Sequence, residues 1–358
     1  MQPWSPFAPE VRGLVRPVPI DPSGNGGPTR GSAAGPRWRA SSRGLYVPSS
    51  TRVEVPEQRI LEQSLRLPDR GAVTGWASCR WQGAAYFEGT DTDGSLLPVP
   101  FAIGPQSNIR ADSAVSLSRE RLDPGDVRML RGVRCTVVTR ALFDETRRAR
   151  TLRDAVVAID MMAAAELVSV ARMRAYVARR NGWTGVALVR RALDLAADAS
   201  RSPNETRLRL VWQLDAGLPR PLVNVPVFDR DGRLLGIPDL LDPDAGLIGE
   251  FDGAMHRSAT RHSRDVDREA GFRDHLLEVC RVTGLDLGRP GLVDRLLSAH
   301  GRARFLDEAQ RPWTLTPPAR WSARPSLDAM LDDRDATCDL YRRWAEEPDP
   351  DIRDIRGW

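Results

Sequence analysis

The stretch PLVNVPVFDRDGRLLGIPDLLDPDAGLIGEFDG, residues 221–253, decides how this chain folds. Asp231-Gly232 lies between two apolar runs, the pattern of a tight β-hairpin. A second turn, DPDAG at 242–246, leads into LIGEFD, so the stretch predicts a three-strand meander. If that second turn is symmetric, its centre falls between Asp244 and Ala245 and Asp239 stands opposite Glu250. Directly opposed strand residues share a face, with Cβ atoms about 4.5–5.5 Å apart. Asp252 joins that face because strand side chains alternate with a period of two. Three carboxylates on one patch of apolar sheet repel one another and resist burial. A hard divalent cation removes the conflict, because Mg²⁺ is held by carboxylate, water and phosphate oxygens. Asp239, Glu250 and Asp252 are therefore the candidate metal ligands. The competing expectation makes them turn and strand-end groups facing solvent.

Upstream, SRSPNETRLRLVWQLDAGLP at 200–219 predicts a helix that opens at Ser202 with Pro203 at its first position. The Ser202 to Glu205 spacing is that of a capping box, so Glu205 has a structural role besides its candidacy for the site. Downstream, His256 is the nearby side chain whose ordinary pKa suits proton transfer. A histidine at a strand–helix junction also serves as a structural hydrogen-bonder, and both roles stay open. Arg257, Arg261, Arg264 and Arg268 follow, and their forked guanidiniums suit phosphate contact. Pairing with Asp265 and Asp267 is the alternative, above all for Arg268.

Further out, RGLYVPSS predicts a strand and VPEQRILEQSL a helix, with a second helix at TGWASCRWQGAAYF. Short apolar runs from Leu96 to Val138 predict a small antiparallel sheet. Residues 140–199 turn helical in pattern, with TLRDAVVAIDMMAAAEL, SVARMRAYVARR and TGVALVRRALDLAA. The arginines of these helices, Arg172, Arg174, Arg179, Arg180, Arg190 and Arg191, are either solvated faces or phosphate contacts. The Pro-, Gly- and Ser-rich residues 1–40 predict a flexible tail. Residues 313–358 predict a weakly ordered one, with a helix around DATCDLYRRWAEE. The expected fold class is α+β: a helix-plus-small-sheet domain over 41–200, then an α/β core over 201–312.

PD at 238–239, ten intervening residues, then Glu250-Phe251-Asp252-Gly253 and His256 resemble the PD-(D/E)xK nuclease superfamily. Within it the likeness is to relatives of the very-short-patch repair endonucleases. RDVDREAGFRDHLLEVCRVTGLDL at 264–287 is similar to their D-x-x-R helix and closing strand, through Asp265 and Arg268. The part from RGLYVPSS to about Ala199 resembles AbiEi-type antitoxin and regulator proteins of actinobacteria. The resemblance implies a restriction-endonuclease-like core, Mg²⁺ or Mn²⁺ on Asp239, Glu250 and Asp252, and DNA as the partner. It implies phosphodiester hydrolysis or, alternatively, a non-catalytic DNA-binding regulator or antitoxin-like protein with a toxin or other protein partner. Two departures are plain. Asp252 stands where the superfamily pattern has lysine, and GNGGPTRGSAAGPRWRASS replaces the winged helix that precedes the regulator's strand.

Composition sets the outer limits. The 358 residues suit two domains, with 41% hydrophobic and 28% charged residues as in ordinary globular chains. Every one of the 52 cationic side chains is arginine, so site chemistry that usually needs lysine is done otherwise here. Cys79, Cys135, Cys280 and Cys338 are scattered, without metal-ligand or disulfide-framework spacing. No signal-peptide pattern opens the chain, and the apolar stretch 155–171 is broken by Asp160 and Glu166. A cytoplasmic protein without a membrane span is expected.

Overall fold

The computed structural model describes residues 13–253 and 268–346. The chain is α+β, with helices and mixed sheets. It begins with a small sheet of β1 (Val18–Pro19), β2 (Trp38–Ser42) and β3 (Leu45–Pro48), in the order β1-β3-β2. This corrects the expected tail over 1–40 for its described part. Gln58 exchanges two 2.8 Å hydrogen bonds with the Val15 backbone, and Asp21 accepts from the Ser23 and Gly26 amides. A polar, Pro- and Gly-rich segment is here held by backbone pairing, which needs no hydrophobic period.

Next come α1 (Pro56–Ser64), β4 (Ala72–Val73), α2 (Gly75–Trp81), β5 (Val99–Ala102), β6 (Val115–Ser118), β7 (Val127–Leu130) and β8 (Val133–Thr136). The strands form a sheet in the order β6-β5-β4-β8-β7. It is mixed where an antiparallel sheet was expected: β5 runs parallel to β6 and β4 parallel to β8. Parallel neighbours need long crossovers, and residues 103–114 and 74–132 provide them.

Helices α1 and α2 lie on this sheet, and four more follow, α3 packing on α2 and the rest on α3 and one another: α3 (Val138–Thr146), α4 (Leu152–Ala164), α5 (Val170–Ala178) and α6 (Val186–Leu195). Their apolar faces share one core, which includes Phe101, Leu142, Phe143, Ile159 and Met162. Inside it Arg140, fully buried, bonds to Asp144 and Asp126 and stacks over Trp183. Tyr176 and Arg180 reach the same Asp126, so a shared polar network fixes α5 against the loop before β7.

The second half opens with α7 (Pro203–Leu210), a wider π-turn over Val211–Asp215, and β9 (Leu222–Val223). The hairpin of β10 (Val227–Asp229) and β11 (Leu234–Gly236) turns at Asp231-Gly232, with Gly232 at φ +77°. β12 (Leu240–Asp242) and β13 (Leu247–Asp252) form the next hairpin. The expected meander is split between two sheets. β10 and β11 join β15 (Trp313–Thr314), whereas β9 takes the place beside β12. The main sheet runs β14-β13-β12-β9, with β14 (Glu278–Thr283) parallel to β13. One face carries Leu208, Trp212, Leu240, Leu247 and the apolar side of α8 (Gly291–Arg302). The other carries Leu241, Ile248, Val279, Trp313 and Phe272 from the helical segment 268–274. Gly249 lets the Trp212 ring lie on β13, since a Cβ there would stand 3.2 Å from Cζ3.

The expected weakly ordered C-terminal stretch is ordered from 313 to 346. β15 pairs with β10, Trp321 packs edge-on against Phe228, and α9 (Leu327–Glu346) docks on α5. There Asp332 and Asp335 take both ends of the Arg172 guanidinium, and Asp328 accepts from Ser169. Arg174 bonds to the Leu193 carbonyl and Arg190 to Asn181, so these arginines of the helical cluster serve the fold. Among the described residues no helix is long and apolar enough to cross a membrane.

Candidate functional site

The β12–β13 turn fixes everything that follows. Asp242, buried at its base, accepts from the Asp244 and Ala245 amides at 3.0 and 3.1 Å, and Gly246 supplies φ +67°. Its register pairs Leu240 with Gly249, Leu241 with Ile248 and Asp242 with Leu247. Continued one step, the pairing sets Asp239 across from Glu250. Both lie on the face of Leu241 and Ile248, and Asp252 lies two positions along it.

The three carboxylates do different things. Asp239 Oδ2 accepts from the Phe251 amide at 2.7 Å, which locks it across the hairpin. Burial pushes its pKa up to about 6, opposed by that amide and reinforced by the nearby Glu205 charge. Glu250 Oε2 accepts from Arg268 Nη2 at 3.0 Å. Asp252 leans towards Arg281 Nη1, 3.9 Å away. Among the described residues no three His, Cys, Asp or Glu side chains are gathered around a space for one ion.

Glu205 sits at the edge of this patch. The Ser202 hydroxyl accepts from the Glu205 amide at 3.2 Å, while Glu205 Oε2 accepts from the Arg201 amide at 2.8 Å. Asn224 Nδ2 donates to the same Oε2 at 2.9 Å, and the Asn224 amide bonds to the Asp239 carbonyl at 3.1 Å. Asn224 holds φ +51°, a left-handed conformation that asparagine tolerates better than most residues. It ties Glu205 to the start of β12, and the sequence reading did not single it out. Nor did it single out Arg281, whose Cα pairs with that of Glu250 across the parallel β13–β14 register. A charged residue inside the apolar strand EVCRVT was the available signal.

His256, Arg257, Arg261 and Arg264 lie outside the described residues, as does Asp265. Arg268 is described, and its partner is Glu250.

Comparison with protein-family models, with curated proteins and with solved structures gives no match for this chain. The functional reading therefore rests on the residues themselves. Hard carboxylate oxygens, opposed on one face and partly withdrawn from water, suit a divalent ion of the Mg²⁺ class. Such an ion commonly takes only one or two protein carboxylates, with water and phosphate completing its shell. Asp239 and Glu250 fit that smaller requirement; the full triad is not assembled among the described residues.

Proposed function

We propose that the 201–312 module is a divalent-metal-dependent phosphodiester hydrolase acting on DNA. The observation that carries this reading is the β12–β13 register, which continued one step sets Asp239 across from Glu250, with Asp239 Oδ2 held by the Phe251 amide. These two residues would hold Mg²⁺ or Mn²⁺, which when bound polarises a phosphoryl oxygen and makes a coordinated water more acidic. Glu205, fixed by its capping role and by Asn224, orients the Asp239 side of the patch. Arg268 and Arg281 bring guanidiniums to the same face, where they suit a phosphate backbone. Asp252 lies beside them, and His256 follows in sequence as the candidate for proton transfer.

The test is plasmid nicking with and without Mg²⁺ or Mn²⁺, run beside Asp239→Asn and Glu250→Gln. Loss of nicking in both variants and in chelator supports the assignment; equal nicking by the variants sinks it.

A second reading, DNA binding without turnover, is favoured by the Arg268–Glu250 pair, in which the chain supplies its own cation. It covers a regulator or antitoxin-like role with a protein partner. Salt-sensitive retention of DNA with no cleavage in either metal selects it.

A further inference from the structure

A cleft of about 400 Å³ opens in the first half of the chain, away from the carboxylate patch. That volume lies within the range of small-molecule sites, roughly 300–1,000 Å³. Its floor is Glu145, near the end of α3, and its rim includes Arg148 one turn on. Phe87 and the half-exposed ring of Tyr86, edge-on to it at 5.2 Å, form an apolar wall.

The polar groups of the cleft are unequally satisfied. Asp144, next to Glu145, is bonded to Arg140, Arg147 and Thr74. Asp91 is held by Arg150, and the Asp154 carboxylate accepts from the hydroxyl of Thr151, which caps α4. Among the described residues the Glu145 carboxylate accepts one hydrogen bond, from the Trp76 amide at 2.7 Å to Oε2. Gly75 keeps the space beside that oxygen open: it holds φ +52°, and a Cβ there would stand 3.0 Å from Oε2. The Arg148 guanidinium makes no hydrogen bond or close ion pair among the described residues, and it feels the charges of Glu145, Asp144 and Glu120 only from further off. Glu145 stands in the last turn of α3 and Arg148 in the turn just beyond it, so one carboxylate and one guanidinium line the same cleft. Those two charges complement a ligand that carries both an ammonium and a carboxylate.

We propose that this cleft binds a free α-amino acid with an apolar or aromatic side chain. Its ammonium donates to Glu145, its carboxylate pairs with Arg148, and its side chain lies against Tyr86 and Phe87. The site is independent of the nuclease reading.

The groups facing Glu145 are Asp144, Arg148 and the Trp76 amide, with Cys79 on α2 and Tyr86 across the cleft. Burial dominates among them and pushes Glu145 up to about 7. Binding needs the ionised acid, so affinity falls about tenfold from pH 8 to pH 6, following the proton that must be released.

The experiment is calorimetric titration of the full chain with L-phenylalanine, phenethylamine and 3-phenylpropanoate. Saturable binding of phenylalanine is expected, weaker by about tenfold or more in Glu145→Gln and in Arg148→Gln. Each analogue, lacking one charged group, binds correspondingly less. Glutamine keeps an acceptor for the Trp76 amide, and Arg148 is exposed, so the two variants do not depend on one another for folding. Absence of saturable binding by wild type overturns the proposal. So does phenethylamine binding as tightly as phenylalanine, or a Glu145→Gln variant that binds phenylalanine unchanged.

Discussion

Arg209→Ala removes a guanidinium with no exposed surface from the junction of α4 and α7. Arg209 donates to Asp160 Oδ2 at 2.5 Å and to the Leu195 carbonyl, and Asp160 is equally buried. Breaking a buried pair by deleting one partner costs about 3–5 kcal/mol, because the other charge is left in a dry interior. Asp160 keeps two donors at 2.8 Å, Thr206 Oγ1 and the Ala197 amide, which places the loss near the lower end, about 3 kcal/mol. Burial already holds the Asp160 pKa above its ordinary value, with Arg209 the strongest opposing influence. Without Arg209 it rises further, because the strongest influence opposing burial is gone. An acid with a raised folded pKa contributes stability at low pH that is lost as pH rises through that value. The variant should therefore be least unstable in acid and lose stability towards neutrality relative to wild type. Urea unfolding followed by circular dichroism across that range measures this. The double variant Asp160→Leu/Arg209→Met, which removes both charges, should recover most of the loss. The reasoning fails if Arg209→Ala stays within about 1 kcal/mol of wild type, or if the double variant is no better.

Gly249→Val drives a branched side chain into the Trp212 ring, which a Cβ alone would approach to 3.2 Å. A loss of about 1–3 kcal/mol is expected in thermal unfolding, as for other overpacked cores. Ser202→Ala removes the hydroxyl that caps α7 and should cost about 1 kcal/mol in the same assay. Cys79, Cys135 and Cys280 are buried and their thiols are pushed to higher pKa by burial, whereas Cys338 is exposed. Titration of the native protein with a thiol reagent should show Cys338 reacting first and the others only on unfolding.

The β12–β13 register was legible because the DPDAG turn is short and both flanking runs are apolar, which leaves a single pairing that buries Leu241 and Ile248 together. The neighbour of β12 was not. Pro238 removes a backbone donor between β11 and β12, and Asn224 turns the chain so that Leu222 and Val223 fill the position beside β12. The helices α1, α4, α5 and α6 carried a clear period, but the mixed pairing of β4 with β8 joins residues too far apart for any local pattern to encode. In the site, Asp239, Glu250 and Glu205 were readable from spacing. Arg281 came from a strand whose partner lies some thirty positions earlier. The arginine pairs of Glu250 and Asp252 are set by how the helical segment 268–274 and β14 pack on β13.

β15 and α9 have a consequence for the order in which the molecule matures. The strand Trp313–Thr314 completes a sheet with β10, and α9 grips Arg172 and Ser169 on α5. A nascent chain can pair β12 with β13 while still tethered to the ribosome, but Phe228 waits for both Thr314 and Trp321. Final consolidation of both halves is thus deferred until synthesis has passed α9, and ribosome-bound chains stalled near residue 310 should be more readily digested by protease than released ones.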